Sequence, residues 1–209
     1  MKNLVSLVIA FLFIANWVSA QSQYEAAMQQ AFELWKENKN MEAFAMFDRI
    51  GQAEKENWVP LYHAANVLIS SSFALENTEE RNTTLEKAKA IIAEAHNRSA
   101  DNSEITTLEG LLYTGYVAMD PSVYGMQYSG KIMELHGKAI ALNPDNPRAH
   151  ANKIEYAMGS ARFFGQDLAP FCEQMKAIIP KFDEQQSDIP FAPEYGKERA
   201  LQIANSCNE

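Results

Sequence analysis

Cysteine is nearly missing from this chain, with two residues in 209. That excludes a disulfide-dense scaffold and a Cys-rich zinc module. Glycine, at 9, and proline, at 8, are also scarce. Collagen-like and Pro/Gly-rich disordered classes are thereby excluded. Bases are outnumbered, 18 Lys and Arg against 27 Asp and Glu, giving a net charge of −9. A nucleic-acid partner, which needs a clustered basic face, is not expected. Strand signals are nearly absent: there are no alternating Val/Ile/Thr runs and no Asn-Gly or Asp-Gly hairpin turns.

Catalytic signatures are missing as well. The chain has no H-E-x-x-H, G-x-S-x-G or S-x-x-K motif and no phosphate-binding Gly loop. His63, His96, His136 and His150 lie far apart, and none has a partner at the helical spacing of a metal pair. Adjacent acids such as Glu79-Glu80 and Asp183-Glu184 fall in polar stretches and read as solvated charge. The expectation is a non-enzyme with no catalytic residue, no metal and no cofactor.

The N-terminus is what is present first. Lys2 is followed by an apolar run from Leu4 to Ala15, too short for a span of ~20 residues. Val18-Ser19-Ala20 then offers the small residues that a signal peptidase reads. This predicts a secretory signal peptide over 1–20 and a mature chain over 21–209. The signal contains one base and no acid, so the mature chain has 17 bases and 27 acids, a net of −10. No later run is long and apolar enough for a membrane span. The expected location is periplasmic or secreted.

Apolar residues in the mature chain recur at helical spacing. Tyr24, Ala27, Met28, Ala31, Phe32 and Trp35 make one stripe, and Leu61, Ala64, Ala65, Leu68 and Ile69 another. Similar stripes continue to Glu194–Asn205. Thr84 reads as the start of one helix, and Asp101 or Ser103 as the start of the next. Asp120-Pro121 and Asn143-Pro144 read as boundaries, because the residue before Pro is pushed out of the α region. Residues 180–193, with Pro at both ends, read as an irregular surface strap.

A 34-residue register links the helices. Ala31 and Ala65 are 34 apart, as are Leu34 and Leu68. Ala139-Ile140-Ala141-Leu142-Asn143-Pro144-Asp145-Asn146-Pro147-Arg148-Ala149 looks like the close of one tetratricopeptide repeat and the opening of the next. With Met119-Asp120-Pro121, Tyr124-Gly125-Met126-Gln127-Tyr128, Phe163-Phe164-Gly165 and Pro193-Glu194-Tyr195-Gly196-Lys197-Glu198, it resembles a group of small, exported tetratricopeptide-like proteins of Gram-negative bacteria, largely without assigned function. The resemblance runs from about Glu109 to Ala204, and after Gly165 the chain departs from the group's usual Gly-rich turn. It implies fold and export, and no catalytic residue. The expected fold is an all-α, right-handed solenoid of about four tetratricopeptide-like helix pairs with a closing C-terminal helix.

The expected job is that of an exported interaction module or scaffold of the cell envelope, binding a protein or peptide. Such arrays bind through the face lined by first helices. Carried over by position, this marks Tyr62, Asn66, Thr107, Thr114, Asn152 and Glu155. The register also breaks twice at the same turn, at 70–81 and at 117–130. The second break holds Tyr124 and Tyr128, which either form a binding edge or pack the junction of longer helices. The alternative function is a small-ligand-binding or enzyme-accessory protein using that segment. Cys172 and Cys207, the two cysteines of an exported chain, are expected to pair.

Overall fold

The structure is a computed structural model and describes residues 21–206. The expected signal peptide and Cys207 lie outside the described residues. The described elements are α1 (21–36), α2 (Asn40–Ala53), α3 (Val59–Ser72), α4 (Thr78–Arg98), α5 (Ser103–Met119), α6 (Pro121–Leu142), α7 (Pro147–Phe163), α8 (Ala169–Ile178), α9 (Lys181–Glu184) and α10 (Lys197–Asn205). There is no strand among the described residues.

Local chemistry sets these boundaries. Asn38 ends α1 in the left-handed region, φ 61°, which Asn tolerates better than most residues. Asn77, Asn102, Asp120 and Asn146 start α4 to α7, each accepting a backbone N–H of the first turn. Pro121 and Pro147 follow two of these caps at the first helical position, where a missing N–H costs nothing. One expectation is corrected: α4 begins at Thr78, six residues before Thr84, because Asn77 Oδ1 accepts the Glu80 N–H at 2.9 Å.

Both register breaks turn out to be longer helices. Residues 70–81 end α3 and begin α4, and 121–130 are the first turns of α6. The strap is as irregular as expected from Gln185 onward, with the single turn of α9 before it.

From α2 to α8 each helix packs on its sequence neighbours, α5 also packs on α3 and on α7 to form an inner row, and α10 packs on α8. The result is an all-α, solenoid-like stack. Close approach has a specific cause at Gly110, where a Cβ would come within 2.5 Å of the His136 ring. The Arg98 guanidinium reaches back from α4 and donates to the carbonyls of Gly51, Glu54 and Asn57, covering the C-terminal end of α2.

Two apolar cores result. The larger runs through α1 to α6 and includes Met28, Phe47, Leu68, Leu85, Leu112 and Ile132. The smaller gathers Ala151, Ile154 and Met158 of α7 with Cys172, Met175, Ala200 and Ile203. The strap returns across the seam between them. Phe191 meets Tyr24 and Phe32 at ring distances of 5.7 and 6.1 Å.

Candidate functional site

A groove of about 630 Å³ lies along that seam. Phe32, Trp35 and Lys36 of α1, Tyr62, Asn66 and Ser70 of α3, and Thr107, Leu108 and Leu111 of α5 form one side. Arg148, Ala151 and Asn152 of α7, Met175, Phe182, Tyr195, Arg199 and Ile203 form the other. The inner-row helices present successive turns to one side of the stack, which is why residues so far apart in sequence converge.

The floor is a buried polar network. Tyr62 and Tyr195 share a hydrogen bond between their hydroxyls at 2.6 Å. Arg148 donates to both Glu104 oxygens, at 2.8 and 2.6 Å, and to the Tyr195 carbonyl at 3.2 Å. Burial pushes both phenols above the ordinary tyrosine range, so they stay neutral. Beneath them, His63 touches the rings of Phe32, Tyr62 and Trp35, and its Nε2 is 2.8 Å from the Phe191 carbonyl. Burial holds that imidazole down at about 4, and it is neutral at physiological pH.

Charge in the groove runs against the composition of the chain. Its lining has three bases, Lys36, Arg148 and Arg199, and no acid, in a protein of net charge −9. The rest of the wall is mainly aromatic and aliphatic. A hollow of this size and character suits a small organic molecule. Among the described residues, no group of three or more His, Cys, Asp or Glu could hold a metal ion.

Of the residues marked from sequence, Tyr62, Asn66, Thr107 and Asn152 line this groove. Thr107 is 1% exposed, and its hydroxyl donates to the Ser103 carbonyl. Glu155 does not line the groove but accepts from Arg199, which does. Thr114 lies outside it, its hydroxyl donating to the Gly110 carbonyl.

Tyr124 and Tyr128 also lie outside. They stack on each other at 5.7 Å and pack with Tyr113 and Tyr116 between α5 and α6. Cys172 is buried in the smaller core, and its expected partner, Cys207, lies outside the described residues.

Sequence reasoning missed Arg148, Tyr195, Arg199 and Met175. Tyr195 and Arg148 stand in two of the motif stretches quoted for the family resemblance, which was the available signal. Nothing local in the sequence shows that Tyr195 meets a tyrosine 133 residues earlier.

No family model matches the chain, and no curated protein matches it. A solved structure does. The chain shares its fold with the HusA haemophore from Porphyromonas gingivalis. The two are 21% identical and superpose with a TM-score of 0.75, over 88% of this chain and 91% of that one. The likeness shows the fold. No described helix is long and apolar enough to cross a membrane.

Proposed function

We propose that the protein is an exported, non-catalytic carrier of a flat, apolar small molecule, with haem as the ligand class. The observation that carries this reading is the groove, an aromatic-walled hollow of about 630 Å³ whose charged lining residues are all bases. A planar macrocycle with peripheral carboxylates matches those walls and that charge. The fold shared with a protein described as a haemophore supports haem in particular. This adopts the small-ligand reading over the scaffold reading and moves the site from 117–130 to the seam between the cores. Export belongs to the same proposal, since residues 1–20 have the pattern of a secretory signal. We take the helix pairs to be tetratricopeptide-like. Ala31 and Ala65, 34 residues apart, are both fully buried, as that register requires of its small positions.

The test is a haemin titration of the mature protein, followed by Soret absorption and by tryptophan emission. Trp35 lines the groove, so a haem bound there quenches it. Saturable Soret change with quenching that weakens in Trp35→Phe is the expected result. Absence of both signals overturns the haem reading.

A further inference from the structure

We propose that Lys36 is the anion anchor of the groove, taking a carboxylate of the ligand and fixing which end of it faces outward. The inference rests on the groove being the ligand site.

The bases in the lining differ in how their charge is met. Arg148 is committed to Glu104 by two hydrogen bonds and to the Tyr195 carbonyl by a third. Arg199 is committed to Glu155, donating to one carboxylate oxygen from Nε and Nη2. Lys36 makes no ion pair and no side-chain hydrogen bond among the described residues. The acid next to it in the chain, Glu37, is held by Lys39 at 2.8 Å. The groove therefore contains three cations, of which two are neutralised by the protein and one is left for the ligand.

Its position suits the role. Lys36 is exposed, the last described residue of α1, and follows Trp35, whose ring lines the wall. Ser70 on α3 is the other exposed polar residue on that side of the groove. The methylene stem of a lysine can lie along an apolar ligand while the ammonium stays at the water boundary. Buried Met175 and Ile203 belong to the opposite wall. An amphiphilic anion thus enters apolar edge first, with its carboxylate outward on Lys36. A ligand without a carboxylate gains nothing from this residue.

The experiment titrates wild type, Lys36→Met and Lys36→Arg with haemin and with haemin dimethyl ester, whose carboxylates are blocked. Lys36→Met keeps the stem and removes the charge. The expected result is about tenfold weaker haemin binding by Lys36→Met, the scale of one charge-assisted contact, with affinity restored in Lys36→Arg. The ester binds wild type and Lys36→Met equally. Equal haemin affinity in wild type and Lys36→Met overturns the anchor and leaves the haem reading standing. Equal losses for haemin and ester in Lys36→Met overturn it too, because the residue then acts by shape. Failure of wild type to bind either compound overturns the haem reading, and the anchor with it.

Discussion

Tyrosines gather at two places among the described residues, and the groove borders one of them. Between α5 and α6, Tyr113, Tyr116, Tyr124 and Tyr128 close on one another, with centroids 4.8 to 6.2 Å apart. Their lysine is spent: Lys131 Nζ lies 3.9 Å from the Tyr113 ring centroid, donates to its hydroxyl at 2.6 Å and pairs with Glu109. Tyr116 donates to Glu86 at 2.5 Å. At the seam, Tyr62 and Tyr195 are also hydrogen-bonded, but Trp35, Phe32 and Tyr195 border open volume, and Lys36 is uncommitted. Aromatic content alone does not mark a binding site. What distinguishes the groove is aromatic surface that borders open volume, beside a charge that the protein leaves without a partner.

The largest expected effect comes from breaking the floor of the hollow region. Arg148 and Glu104 are 4% and 13% exposed. Arg148→Met leaves a buried carboxylate without its partner, which costs about 3–5 kcal/mol. Urea unfolding is expected to show that loss, together with weaker haemin binding as Tyr195 loses its tether.

Acid separates the two regions next. His63 lies beneath the groove, and His136 lies between α5 and α6 with both ring nitrogens lacking a hydrogen-bond partner among the described residues. Burial lowers each to about 4, from an ordinary value of 6.5. A neutral imidazole in the fold and a protonated one in the unfolded chain make stability complete above pH 6.5. It then falls as the pH drops toward 4, by about 3 kcal/mol per histidine. Melting curves across that window are expected to show the decline. His136→Leu is expected to halve its slope without changing haemin affinity.

A smaller effect sharpens the contrast from the filled side. Tyr124→Ala with Tyr128→Ala opens a packed junction at half-buried positions. It is expected to cost about 2 kcal/mol of stability and to leave haemin affinity unchanged. Weakened binding without a stability loss would return the site to the 117–130 segment.

Much of this architecture is legible in the sequence. Helical spacing of Ala, Leu and aromatic residues places the stripes, and Asx-Pro pairs place the boundaries before α6 and α7. The start of α4 is less legible: Asn77, three residues before Glu80, caps the helix, yet the polar run around it carries no apolar stripe. Within the site, Tyr62, Asn66, Thr107 and Asn152 are legible because a repeat register places first-helix positions on one face. Tyr195, Arg148 and Arg199 are not. Tyr195 and Arg199 come from the strap and the closing helix, outside the register, while Arg148 lies within it but is fixed by distant partners; these contacts span 44 to 133 residues. The packing of Tyr124 and Tyr128 was equally hidden, since spacing alone cannot tell a filled cluster from an open edge.

The most direct test of the central claim is amide chemical-shift mapping with a diamagnetic haem analogue, gallium protoporphyrin, titrated into the mature protein. Shifts are expected to concentrate at Trp35, Lys36, Asn66, Leu111, Ala151 and Tyr195, with Tyr124, Met126 and Tyr128 unmoved. Shifts concentrated over 117–130, with the seam residues unmoved, would contradict it.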